Sequence, residues 1–106
     1  MVMTPDERDW KLFRSKIALW QENYINKLNK EYAAILCGDE SPSEKFWILE
    51  NKINADKMSR GVQIQLRRST MLEDIISLLN DKVITVDDLS DFSDDLQKKI
   101  KFIVRD

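Results

Sequence analysis

Five aspartates, Asp87, Asp88, Asp91, Asp94 and Asp95, crowd into a short stretch near the end of the chain and are the most conspicuous candidates for metal chemistry. A calcium loop of the EF-hand type needs oxygen ligands at alternate positions, a central Gly for the turn and a closing Glu. Counted from Asp81, the sequence offers Val83, Thr85 and no Gly, so that pattern fails. The same residues suit helix N-capping and a solvated acidic face. A di-metal carboxylate bundle pairs Glu with His three residues later, and this chain has no His. That absence also removes the commonest general base. Cys37 falls where a helix should end, and the partial negative charge of a helix C-terminus disfavours a thiolate. Neither a Gly-x-Ser-x-Gly elbow nor a Gly-rich phosphate loop occurs. The expectation is a non-enzyme without catalytic residues, metal, cofactor or small-molecule substrate.

Binding chemistry has more to work with. Between Asn51 and Arg68 five cations (Lys52, Lys57, Arg60, Arg67, Arg68) face one anion, Asp56, whereas from Glu73 to Asp95 eight anions face one cation, Lys82. Arg60, Gln63 and Arg67 are spaced by three and four, one face of a helix if it runs through Gly61. With Lys57 and Arg68 they could meet phosphates, base edges or an acidic protein. A nucleic-acid-binding domain is more often basic overall, and the formal net charge here is −2. The second candidate surface is aromatic. Trp10, Phe13, Ile17, Trp20 and Tyr24 step by 3, 4, 3 and 4, a single apolar stripe of helical period.

The elements that must carry these residues read as helices. Thr4-Pro5-Asp6-Glu7 combines a cap, a Pro at the first helical position and a Glu three after the cap. The stripe continues through Leu28, Tyr32, Ile35 and Leu36 to Gly38, which suits a helix end. A helix over 5–37 would be roughly 50 Å long, so it either projects and pairs or bends near Asn23, Asn26 and Asn29. If it projects, part of the stripe outruns the domain and exposes apolar surface, which monomers avoid. That reasoning nominates Trp10, Phe13 and Trp20 as partner-binding residues, beside Lys57, Arg60, Arg67 and Arg68. Ser41-Pro42-Ser43-Glu44 starts a second helix over 42–58, with Phe46, Leu49 and Ile53 as its buried stripe and Trp47 beside it.

Val62-Gln63-Ile64-Gln65-Leu66 alternates like a strand, but no partner strand is visible and a lone strand is unstable. The expectation is therefore a third helix over 62–80, unless Thr70 and Glu73 cap a separate one beginning near Met71. Short helices over 86–91 and 94–104 follow, with Leu89, Phe92, Leu96, Ile100 and Ile103 as one stripe.

Leu79-Asn80-Asp81-Lys82-Val83-Ile84-Thr85-Val86-Asp87-Asp88-Leu89 resembles the helical hairpin of short C-terminal modules that bacteria append to other proteins. Those modules usually carry Gly where this chain has Lys82. In style the whole chain is similar to small uncharacterised helical proteins of Gram-positive bacteria and their mobile elements, and the resemblance implies an accessory or regulatory role.

The chain has 106 residues, 42% of them hydrophobic and 34% charged, with two Gly and two Pro. That is one domain, too poor in turn residues for a β sandwich. No secretory signal and no membrane-spanning run is evident, and a single Cys fits a reducing cytoplasm. The reading is an all-α domain over 1–106, a compact bundle of four or five helices with a long N-terminal helix. Its expected function is that of a cytoplasmic interaction or regulatory protein that binds a protein partner or itself. The alternative is a nucleic-acid- or nucleoprotein-binding regulator, such as a mobile-element accessory or anti-defence protein, using the basic 57–68 face.

Overall fold

The computed structural model describes residues 6–104. Its order is α1 (Glu7–Leu36), α2 (Pro42–Asp56), a 3₁₀ turn (Arg68–Thr70), α3 (Met71–Asn80), a second 3₁₀ turn (Val86–Leu89) and α4 (Asp94–Val104). The described residues form no strand, so the chain is all-α. None of its helices is long and apolar enough to cross a membrane.

One end of the molecule holds the core. Trp10, Phe13, Ile17 and Trp20 of α1 pack against Met71, Ile75 and Leu78 of α3, against Ile84, Leu89 and Phe92, and against Leu96 and Ile100 of α4. Each buried side chain of this kind stabilises the fold by roughly 1.5–3 kcal/mol. The aromatic residues form a run, with ring centroids 6.3 Å apart for Trp10 and Phe13, 6.1 Å for Phe13 and Trp20, and 6.3 Å for Trp20 and Phe92. Polar ties fix the register. The buried Asp9 carboxylate accepts the Ser93 backbone N–H at 2.9 Å and the Ser93 hydroxyl at 2.6 Å, and the same hydroxyl oxygen accepts the Leu96 N–H at 3.2 Å. One acid of α1 thus orients the residue that caps α4.

The other end is a hairpin. Beyond Trp20, α1 continues unbroken past its three asparagines; Gln21 and Tyr24 meet the loop at Arg60 and Gly61, and α2 is the helix that packs along the rest. The molecule therefore measures 52 × 26 × 23 Å, with a radius of gyration of 16.6 Å, against the ~13 Å of a globule this size. The expectation of a compact bundle is corrected to a globular head with a projecting helical hairpin.

Several boundaries also move. Asp6, whose carboxylate accepts the Arg8 N–H at 2.9 Å, caps α1; the expected cap at Thr4 and Pro5 lies outside the described residues. Ser41, Pro42 and Glu44 form the expected capping box of α2. The expected helix over 62–80 shrinks to α3, which starts at Met71 after Thr70. Residues 63–67 form neither helix nor strand. Val62 and Ile64 are half-buried while Gln63, Gln65 and Leu66 are exposed, and Ile64 packs against the core. Gly61 lies in the turn before this segment and brings the backbone close to its neighbours. A Cβ there would sit 2.5 Å from the Tyr24 ring and 2.6 Å from Val83. The expected helix over 86–91 is one 3₁₀ turn, capped by Thr85 and Asp88.

Candidate functional site

The hairpin departs most from ordinary packing. Where α2 meets α1, the inward positions are Lys45, Leu49, Lys52 and Asp56, spaced by 4, 3 and 4 and all half-buried. Three of the four are charged. Lys52 donates to Glu31 at 2.9 Å and to Asp56 at 3.1 Å, and its ammonium lies 5.7 Å from the Tyr32 ring centre. Hydrogen bonding to Glu31 and Asp56 raises the Lys52 pKa and keeps it charged. The Tyr32 hydroxyl donates to Asp56 at 2.7 Å. Burial, and then that bond, pushes the Tyr32 pKa up to about 12. Leu28 is the one buried α1 residue beyond Trp20, and α2 has none. At the hairpin base the Gln21 amide donates to the Arg60 carbonyl at 3.1 Å.

The apolar side chains of α2 point elsewhere. Phe46 is 61% exposed, Trp47 56%, Ile48 42% and Ile53 39%, and Leu36 at the end of α1 is 51%. Phe46 and Trp47 meet edge to face with centroids 4.9 Å apart. Of the expected buried stripe Phe46, Leu49 and Ile53, only Leu49 lies on the inward side, and Phe46 and Ile53 are corrected to exposed positions. The seam runs along 45, 49, 52 and 56, because the ion pairs and the tyrosine hydroxyl take the inward positions. The hairpin thus holds half-buried charged side chains beside Leu28 and Leu49 and leaves three consecutive large apolar ones, Phe46, Trp47 and Ile48, exposed. Cys37 caps α1 between the two helices and is exposed.

The partner-binding residues expected from the sequence fare differently. Trp10, Phe13 and Trp20 are 6%, 0% and 8% exposed and belong to the core, so their nomination as a docking stripe is corrected. The half of the stripe that outruns the head is the later one, and α2 packs along it. The basic residues do not share a helix face, because 63–67 is not helical. Arg60 pairs with the buried Asp74 at 2.7 Å, pinning the loop after α2 onto α3. Burial nevertheless raises the Asp74 pKa against the pull of Thr70 and Arg60. Arg68 pairs with Glu7 at 2.9 Å, and its guanidinium lies 5.5 Å from the Trp10 ring centre. Lys57 and Arg67 remain exposed. Two of the four cations thus hold the fold together.

The acidic run is dispersed as well. Asp88 accepts the Thr85 N–H at 2.7 Å, Asp91 pairs with Lys16 at 3.4 Å, and Asp94 and Asp95 occupy the first turn of α4. Among the described residues no group of three or more acidic or sulfur side chains is placed to hold a metal ion. A cleft of about 290 Å³ opens beside the start of α1, between Arg68, Leu72 and Lys99. Its buried carboxylate, Asp9, is already bonded twice to Ser93.

Sequence reasoning missed Phe46, Trp47 and Ile48 as a surface. The signal was available: three consecutive large apolar residues span three faces of a helix, and one neighbouring helix cannot cover them all. No protein-family model matches this chain, and no curated protein and no solved structure shows significant similarity to it.

Proposed function

We propose that this chain is a non-enzymatic docking protein, whose working surface is the outer side of the α1–α2 hairpin and whose ligand is another protein surface. One observation carries the reading: α2 directs Phe46, Trp47 and Ile48 to solvent while Lys45, Lys52 and Asp56 take half-buried positions on the side toward α1. Leaving side chains of that size in water forgoes roughly 1.5–3 kcal/mol each. A helix serving only the fold would carry those residues on its inward face. Exposed aromatic residues clustered on a projecting element are the usual composition of an interface centre. The head supplies a rigid base, and the long helix carries the hairpin away from it.

Pull-down from the native host, with wild type, Trp47→Glu and the Lys57→Glu/Arg67→Glu pair side by side, tests the reading. Circular dichroism first establishes that all three keep their helices. A protein held by wild type and by the basic-site pair but lost by Trp47→Glu, then reproduced with purified components, is the expected result. Binding that survives Trp47→Glu and disappears with the pair overturns the reading and favours the 57–68 segment. A nucleic acid retained there would show a steep loss with salt.

A further inference from the structure

The head carries a second apolar patch at the opposite end from the hairpin tip. Leu72 of α3 and Phe102 and Ile103 of α4 line a shallow depression with Lys98 and Lys99 on its edge. Phe102 is 72% exposed and Ile103 49%. Its place is fixed by the start of α1: Leu72 and Lys99 also line the cleft beside Asp6 and Asp9. The hairpin tip lies at the other end of α1, about 45 Å away along a helix of 30 residues.

The two patches carry opposite charge. Around Phe46, Trp47 and Ile48, residues 39–50 contribute Asp39, Glu40, Glu44 and Glu50 against Lys45, a net of −3. Around Phe102 and Ile103, Lys98, Lys99 and Lys101 stand against Asp95, which lies one turn before Lys99 and lines the adjoining cleft with it and Leu72, a net of +2. All of these charged residues are exposed except Lys45, which is half-buried. Tip against tip, or α4 against α4, would bring like charges together, which disfavours either symmetric pairing. Tip against α4 joins apolar surface to apolar surface inside rims of opposite sign.

We infer that the occupant of the hairpin tip is a second copy of this chain, docked through the Leu72–Phe102–Ile103 patch at the far end of its head. The inference rests on the docking role of the hairpin and names its partner. Joining two different patches is a heterologous contact, and with the patches at opposite ends of an elongated molecule it propagates into an open chain instead of closing as a dimer.

Light scattering and sedimentation on purified protein test this. Wild type should show a weight-average mass that rises with concentration past the dimer, and association should weaken about tenfold between low and high salt as the rims are screened. Trp47→Glu removes one patch and Ile103→Glu the other, so each alone should be monomeric with wild-type helicity. Mixed, they retain one good patch apiece and should form a one-to-one dimer that grows no further. Three results overturn the inference: a wild type that stays monomeric, a closed dimer that survives Ile103→Glu, or a mixture that does not associate. If wild type is monomeric and Trp47→Glu still loses a different protein from the host, the docking reading stands and only the self-association falls.

Discussion

Lys82 has the backbone of a glycine. Its φ is 60°, the only positive φ among the described non-glycine residues, and it follows Asp81, the C-cap of α3. The Lys82 N–H donates to the Leu79 carbonyl at 3.1 Å and the Val83 N–H to the Leu78 carbonyl at 2.9 Å. This is the paired arrangement that closes a helix through a left-handed residue. In that region a Cβ costs about 1–2 kcal/mol, and glycine gives back part of the gain through its freer unfolded chain. Lys82→Gly should therefore stabilise the protein by about 1 kcal/mol, or raise Tm by about 4–8 °C for a domain near this size. Lys82→Ala keeps the Cβ and should stay within about 0.5 kcal/mol of wild type. Urea and thermal unfolding followed by circular dichroism measure both. A Lys82→Gly variant no more stable than Lys82→Ala would mean that α3 does not end in this turn.

Gly61→Ala pushes a methyl into Tyr24 and Val83 and should cost about 1–3 kcal/mol in urea unfolding; an unchanged midpoint would show that the loop is not pressed onto α1. Asp9→Ala strips the Ser93 N–H and hydroxyl of their acceptor and should cost a similar ~1–3 kcal/mol, with faster amide exchange at the start of α4 as the local sign. Alkali should open the hairpin: the Tyr32 pKa is raised to about 12, chiefly by burial, and burial raises Tyr24 too. A raised value means that the folded state holds the proton more tightly. This contribution is therefore complete below the ordinary tyrosine pKa of 10.0 and is lost as pH climbs toward about 12. Tyrosinate absorbance tracked beside helicity checks it, and a tyrosine ionising normally at 10.0 in a fully helical protein would contradict it.

The helical class, the core half of the first stripe and the α2 capping box were legible because they depend on neighbours three and four residues away. Trp10, Phe13, Ile17 and Trp20 announce a buried face whatever covers it. What a stripe cannot announce is which partner covers which half. Helices α3 and α4, with Ile84, Leu89 and Phe92 between them, bury the aromatic half, so the residues that looked available for docking are core residues. The later half meets α2 through Lys52 and Asp56, charged residues that a hydrophobic pattern passes over and that bond to Glu31 and Tyr32 of α1. The period-two alternation at Val62–Leu66 matches the burial only as far as Ile64, since Leu66 is exposed. It could not report that the segment lies against side chains without a ladder of backbone hydrogen bonds. Arg60 and Arg68 looked like a free basic face until tertiary structure set Asp74 and Glu7 beside them, more than a dozen residues away in each case.

The claim that matters most is that the outer apolar residues of α2 contribute to binding and not to folding. Urea unfolding of the Phe46→Ser/Trp47→Ser double variant, at a protein concentration low enough to keep wild type dissociated, tests it most directly. Side chains 61% and 56% exposed should cost no more than about 0.5 kcal/mol when replaced, as surface substitutions do. A loss above about 3 kcal/mol, the scale of a buried aromatic, would place Phe46 and Trp47 in the folded core and remove the surface on which the proposed function stands.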